Sequence, residues 1–245
     1  MEEFIDTFTS KVDGSEVAVL MPVHNEAQAI EDVVLEFHNV VGSKMPLEIV
    51  LSEDGSTDGT KEAIKRISEK VPLKALLSPM RKGYARGIVD GLNYVNSNYV
   101  LITDSDGQHD PRDFWKLWEL RKEYDIVSGW RVKRADSLQR RVMSNTFKFM
   151  AKRLFGLKDF KDITAPFKFM RTEVAKEIAS ECRYMRESFW TEFIIRAHKK
   201  GLKMTEVPVT HRTRLGGTTR VYKIRKIPVI VIRQLYGLFR LWTEL

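Results

Sequence analysis

The stretch that most constrains this chain is Leu101-Ile102-Thr103-Asp104-Ser105-Asp106-Gly107-Gln108-His109-Asp110-Pro111. An apolar run over residues 99–103 stops in carboxylates at alternate positions. Pro111 then opens a helical spacing of Phe114, Leu117, Trp118 and Arg121, as a proline in a first turn does. The segment therefore reads as strand, acidic loop and helix. In an open α/β sheet, ligands sit beyond the carboxyl ends of the strands, so Asp104, Asp106, Gln108 and His109 are expected to share a crevice. Oxygen donors gathered without cysteine suit a hard cation, Mg²⁺ or Mn²⁺, whose shell substrate phosphates commonly complete. The first expectation is a diphosphate held through a metal ion.

The same pattern recurs upstream. Residues 17–21 form an apolar run ended by Pro22-Val23-His24-Asn25-Glu26, then a helical spacing of Ile30, Val33, Val34 and Phe37. Residues 47–51 read as a second strand, the run from Ser52 to Thr60 as a turn rich in capping residues, and Ala63, Ile64 and Ile67 as a helix face. Residues 74–77 are a third strand candidate, and Lys82-Gly83 precedes a helix carrying Ile88, Leu92 and Val95. Strands alternating with helices of this length imply βαβ units, a mostly parallel Rossmann-like central sheet and a three-layer α/β/α sandwich. Further strands are expected at residues 125–129, 167–170 and 204–209, with helices at 138–155, 172–180 and 189–199. Residues 1–15 read as a mobile N-terminal extension, 16–222 as one domain with its halves meeting near residue 120, and 223–245 as an amphipathic helix.

Charge divides along the chain. Residues 1–120 carry 12 Lys and Arg against 21 Asp and Glu, a net of −9, whereas residues 121–245 carry 29 against 12, a net of +17. An acidic half can hold a metal; a half this basic suits phosphate groups, nucleic acid or an anionic membrane surface. The recognised helix and ribbon motifs of nucleic-acid binding are absent, so no nucleic-acid partner is expected. The single Cys182 excludes an internal disulfide and a cysteine-built metal site. Residues 1–16 lack the apolar core of a secretion signal, which gives the expectation of a cytoplasmic location.

Residues 229–242 are strongly apolar, but Arg233 and Arg240 interrupt them and no run approaches the ~20 apolar residues of a membrane span. Lys226, Arg233 and Arg240 are spaced seven apart, with Leu235, Leu238, Phe239, Leu241 and Trp242 elsewhere. Two readings stand equally: a helix lying in a membrane interface, and a helix docked on the core.

Four motifs in register, Pro22-Val23-His24-Asn25-Glu26, the run from Glu53-Asp54-Gly55 to Gly59-Thr60, Lys82-Gly83, and Asp104-Ser105-Asp106-Gly107-Gln108-His109, resemble family 2 inverting glycosyltransferases. Ser128-Gly129-Trp130-Arg131, Arg140-Arg141-Val142-Met143-Ser144, the Asp162 to Phe167 stretch, Glu206-Val207-Pro208-Val209 and the Arg214 to Arg220 stretch narrow the resemblance. It is to the dolichyl-phosphate mannose synthase and polyprenyl-phosphate glycosyltransferase branch. Two departures stand out: Thr219-Arg220 replaces the usual Ser-Lys, and Ala165-Pro166 replaces a small Ser-Gly pattern.

The resemblance implies a GT-A fold and a metal-dependent transfer of a hexose from a GDP- or UDP-linked nucleotide sugar to a polyprenyl or dolichyl phosphate. It implies that Pro22, Glu26, Asp54, Lys82, Asp104 and Asp106 bind the nucleotide sugar and that Asp106 and Gln108 hold Mg²⁺ or Mn²⁺. Arg131, Arg140, Arg214 and Arg220 would meet the acceptor phosphate, with Asp106, Arg131 and Arg214 closest to the chemistry. Guanidinium forks suit phosphate oxygens. A phosphate monoester, whose second pKa is ~6, is an anion near neutrality and needs no general base. A hydroxyl acceptor would need one, for which Asp162 and Glu192 are the candidates. The expected setting is the cytoplasmic face of a membrane, as a peripheral protein, with a membrane-anchoring subunit as a further partner. The alternatives are transfer to a soluble or polysaccharide hydroxyl, and a non-catalytic nucleotide-sugar-binding subunit. A nucleotidylyltransferase is disfavoured, because no glycine-rich loop follows the first strand.

Overall fold

A computed structural model describes residues 6–9, 14–132, 138–216 and 227–245. Its eight strands are β1 (Asp6–Thr9), β2 (Val17–Val23), β3 (Leu47–Glu53), β4 (Lys74–Leu77), β5 (Tyr99–Ile102), β6 (Ile126–Arg131), β7 (Lys168–Arg171) and β8 (Met204–Val209). They form one sheet in the order β1-β4-β3-β2-β5-β7-β6-β8. β4, β3, β2 and β5 are mutually parallel, and β6 is parallel to β8. β7 runs antiparallel between β5 and β6, and β1 antiparallel along β4. Asp6–Thr9 thus lies inside the segment read as a mobile extension, yet pairs in register with Lys74–Leu77.

The α-helices among the described residues are α1 (Ile30–Phe37), α2 (Thr60–Ser68), α3 (Tyr84–Asn93), α4 (Phe114–Glu119), α5 (Leu138–Phe155), α6 (Thr172–Glu181), α7 (Phe189–Lys199) and α8 (Ile227–Glu244). β2 and β3 are buried along their whole length, because both faces of the sheet are covered. Val17, Val19, Met21 and Val23 pack with α1, α2 and α4, whereas Ala18 and Leu20 pack with α3, α6, α7 and α8. Two cores on opposite faces make the expected three layers. Both draw on residues from each half of the chain.

Chain order reverses at β2: β3 and β4 follow on one side, and β5 returns on the other. Such a switch point leaves a crevice outside the carboxyl ends of the two diverging strands. The loops that follow β2 and β5 carry Glu26 and Asp104, so topology alone brings the first and last motifs of the acidic half together.

α8 settles how its apolar residues divide. Ile230, Leu238 and Leu241 are buried, whereas Ile232, Leu235, Tyr236, Phe239 and Trp242 are exposed. At helical spacing these two sets fall on opposite faces. One face docks: Gly237 lies so close to Tyr184 that a Cβ would sit 2.8 Å from its carbonyl oxygen. Glu244 accepts from Arg196 at 2.9 Å and pairs with Arg183 at 2.8 Å. No helix among the described residues is long and apolar enough to cross a membrane.

The loops at the crevice are packed to backbone contact. Gly55, at φ +61°, faces the 80–81 peptide so closely that a Cβ would lie 2.3 Å from Met80 C. Gly55→Ala is expected to lower the unfolding free energy by about 2–4 kcal/mol, from left-handed backbone strain plus overpacking, measured by urea denaturation.

Candidate active site

Three strand ends build the site. Asp54 N–H donates to the Val23 carbonyl at 2.8 Å and Thr103 N–H to Leu20 at 3.1 Å, which extends the sheet past β3 and β5. Ser105 Oγ donates to the Pro22 carbonyl at 3.0 Å. Pro22, expected to line the nucleotide pocket, is buried, with Gly87 of α3 beside its ring. Asn25, at φ 57°, ties the β2 and β3 loops: its N–H donates to Ser56 Oγ at 2.9 Å and its Oδ1 accepts from Thr57 N–H at 2.8 Å. Glu26 N–H donates to Thr60 Oγ1 at 2.9 Å.

Asp54 is buried, and its carboxylate accepts from the backbone N–H groups of Lys82 and Gly83, with Gly83 N at 2.9 Å from Oδ2. It holds the Lys82-Gly83 loop at the crevice edge. The Lys82 ammonium reaches into α3 and pairs with Asp90, which also pairs with Arg86 at 2.8 Å.

Asp104 and Asp106 flank the switch point. Asp104 Oδ1 accepts from the Tyr84 hydroxyl at 2.9 Å, and Asp106 Oδ1 from Gln108 N–H at 3.1 Å. Burial, and then the charge of Asp106, push Asp104 up to about 7. Burial also raises Asp106, while the Gln108 N–H and Arg214 draw it back. Positive charge beside such carboxylates favours their ionised forms.

Arg214 supplies such a charge. Its guanidinium contacts Glu26 and lies 3.5 Å from Asp106 Oδ2, and its Nε donates to the Gly216 carbonyl at 2.6 Å. Residue 214 is thereby brought to the nucleotide half rather than held apart in an acceptor half. The segment after β8 is zipped onto the acidic loop: Arg212 N–H donates to Gln108 O at 2.7 Å, Leu215 N–H to Asp106 O at 3.2 Å, and Gln108 Nε2 to the Arg212 carbonyl at 3.3 Å.

His109 departs from the expectation. It is buried, its ring centroid lies 5.0 Å from that of Phe167, and its Nδ1 lies 3.2 Å from Thr103 Oγ1. Burial holds its pKa well below the usual histidine value, so it belongs to the core rather than the crevice. Asp110 caps the turn opened by Pro111, accepting from Arg112 N–H at 3.0 Å.

On the basic side, Arg131 ends β6 and makes a forked pair with Asp162, at 2.8 and 3.2 Å, with Thr164 Oγ1 at 3.0 Å. Burial alone would raise Asp162. Arg131, Lys148 at 3.6 Å and the Thr164 hydroxyl outweigh it and hold the carboxyl well below the usual range. That leaves it a poor base. Glu192 is buried away from the crevice, accepting from the N–H groups of Arg183, Tyr184 and Met185 and from Arg196. Arg140 lies on α5, and Arg220 lies outside the described residues.

Sequence reasoning passed over Asp90, Tyr84 and Trp190. The Arg86/Asp90 spacing of four is a readable helix pair. Trp190 carried no local signal, because only the tertiary fold brings it to Tyr84.

Burial moves Glu26 from 4.5 up to about 7 against the pull of Arg214. The folded state then keeps a proton that the unfolded chain loses, so this group makes stability fall as pH rises from 4.5 to about 7. Glu26→Gln is expected to flatten that part of the profile, so that its urea midpoint gains on wild type between pH 5 and pH 8.

The chain matches the glycosyl transferase family 2 profile over residues 18–179. It is 26% identical over 212 residues to a dolichol-phosphate mannosyltransferase of Pyrococcus furiosus, covering 84% of this chain and 59% of that protein. It is 26% identical over 215 residues to an undecaprenyl-phosphate 4-deoxy-4-formamido-L-arabinose transferase of Edwardsiella ictaluri, covering 86% and 64%. The chain therefore spans about six-tenths of the length of these relatives. Its fold is similar to glucosyl-3-phosphoglycerate synthase of Mycobacterium tuberculosis solved with Mn²⁺, uridine diphosphate and glucosyl-3-phosphoglycerate. The TM-score is 0.68 at 15% identity, over 94% of this chain and 81% of that one. With the switch-point carboxylates, the profile match and the GT-A-like sheet in agreement, the chain belongs to glycosyl transferase family 2.

Proposed function

We propose that this protein transfers a hexose, with inversion, from a GDP- or UDP-linked sugar to a polyprenyl or dolichyl phosphate at the cytoplasmic face of a membrane. The observation that carries the reading is the pair of carboxylates at the topological switch point, half-buried Asp104 and buried Asp106, with Arg214 joining Asp106 to Glu26. The names of the two polyprenyl-phosphate relatives give the same reaction class.

Among the described residues no group of three His, Cys, Asp or Glu forms a closed metal cage. Asp106 and Gln108 instead offer oxygen donors beside a desolvated carboxylate, the partial donor set that Mg²⁺ or Mn²⁺ completes with substrate phosphates. These residues fit such a cation, which when bound supplies positive charge to the leaving diphosphate. Asp104 would orient the nucleoside. Lys82 exchanges Asp90 for a diphosphate oxygen, and Arg214 releases Glu26 to meet the charge that develops as the glycosidic bond breaks. Asp54 acts by fixing the Lys82-Gly83 loop at the distance this exchange requires.

Arg131, with Arg140 and Arg220, supplies guanidinium groups for the acceptor phosphate. Asp162 is committed to Arg131 and Glu192 to backbone N–H groups. A phosphate that needs no base therefore suits this site better than a hydroxyl. The exposed face of α8, with Phe239 and Trp242, and Phe149, Met150 and Leu154 on α5 give an apolar surface in the basic half, suited to an anionic bilayer. A membrane-anchoring subunit is compatible with the same surface.

Purified protein offered GDP-mannose or UDP-glucose, a short polyprenyl phosphate and Mn²⁺ or Mg²⁺ is expected to yield solvent-extractable glycolipid. The product should vanish with chelator and fall by at least about a hundredfold in Asp106→Asn. Metal-dependent donor hydrolysis without glycolipid would leave the donor site standing and reject the lipid acceptor. For the membrane surface, Phe239→Asp with Trp242→Asp is expected to weaken cosedimentation with anionic vesicles by roughly tenfold or more while leaving the melting midpoint unchanged.

A further inference from the structure

Trp190 and Tyr84 are separated by 106 positions in sequence, yet the indole Nε1 lies 2.9 Å from the Tyr84 hydroxyl oxygen. That oxygen lies 2.9 Å from Asp104 Oδ1. The polarity of this chain is fixed by chemistry. An indole N–H can only donate, so the phenol oxygen must accept from it, and the single phenol proton is left to point at Asp104. Among the described residues no donor engages Asp104 Oδ2, which leaves that oxygen for the crevice.

Trp190 is itself held from behind. It is 4% exposed, packed edge-on against Phe189 and Phe193 at centroid distances of 5.1 and 5.4 Å. The fully buried Lys168 places its ammonium 5.5 Å from the Trp190 ring centroid and donates to Ser128 Oγ at 2.7 Å. A cation seated at an indole face resists rotation of that ring and keeps the N–H aimed. Lys168 is paired in β7 with Ile102, two residues before Asp104, so the support and the carboxylate it serves share adjacent strands.

We propose that Tyr84 and Trp190 are positioning residues for the donor site: Trp190 fixes the Tyr84 hydroxyl, and that hydroxyl fixes Asp104 so that Oδ2 is left to face the nucleotide sugar. The inference rests on the reading of Asp104 as a donor-site carboxylate. It assigns α7, which lies in the half otherwise devoted to the acceptor, a part in binding the donor.

The test is a double-mutant cycle on the full chain, titrating UDP and GDP separately in the presence of Mn²⁺ by calorimetry, with Asp104→Asn as reference. Tyr84→Phe is expected to weaken binding of the preferred nucleotide roughly tenfold, the loss of one hydrogen bond to a charged group, at an unchanged melting midpoint. Trp190→Phe should weaken it by a smaller factor, and the double variant should match Tyr84→Phe alone to within about twofold, since Trp190 acts only through the hydroxyl. A residue that merely fills space would shift the melting midpoint and show no such coupling. Weakened Asp104→Asn beside unchanged Tyr84→Phe overturns the proposal alone, as does a double variant equal to the product of the singles. Unchanged Asp104→Asn overturns the reading of Asp104 and the proposal with it. Tyr84 is 36% exposed, so its variant decides the matter whether or not Trp190→Phe folds.

Discussion

Desolvated negative charge at the carboxyl ends of β2 and β5 is the constraint to which the rest of this structure responds. Glu26, Asp54 and Asp106 are buried and Asp104 half-buried on the loops that follow β2, β3 and β5, and each is answered locally. Asp54 receives backbone N–H groups, Asp104 a phenol, and Glu26 and Asp106 share a guanidinium. A buried carboxylate without such partners would be costly enough to protonate instead, and the upward displacement of Glu26 and Asp104 to about 7 shows how incomplete the compensation is. Incomplete compensation of charge in a cleft marks a candidate functional site.

The pairings that neutralise the crevice also occupy the groups a substrate would use. Lys82 rests on Asp90, Arg214 on Glu26 and Arg131 on Asp162. In the proposed reaction, substrate phosphates would exchange one ionic partner for another instead of meeting bare charge. Such an exchange limits net affinity but favours ligands whose charge and geometry match the displaced carboxylate. The zipped segment 210–216 has the same character: it lies directly on the acidic loop, so any rearrangement at residue 106 is felt at Arg214 and Leu215.

α8 docks on the core by one face and leaves a second apolar face outward. Helical spacing puts Ile230, Leu238 and Leu241 on one side and Ile232, Tyr236 and Phe239 on the other, so docking on the core does not consume the outward apolar face. Arg233 and Arg240 occupy the flank, where they pair with Glu187 and lie over the Tyr184 ring. A helix built this way is anchored to the protein and still presents aromatic side chains outward.

Local pattern determined most of the elements by itself. Residues 74–77, 138–155, 189–199 and 204–209 form the expected elements at the expected bounds, because apolar periodicity and capping residues act over a few positions. The carboxylate loop after β5 was legible for the same reason. What only the tertiary structure decided are relations between distant segments: the antiparallel insertion of β7, the pairing of β1, the inward turn of His109, the burial of Glu192 and the bridge from Arg214 to Glu26. Strand direction depends on which neighbour a segment meets after a crossover. A side chain's charge partner depends on which loops a switch point brings together. Neither is encoded at a fixed spacing along the chain, so the sequence determined what chemistry was present and the fold decided which groups share it.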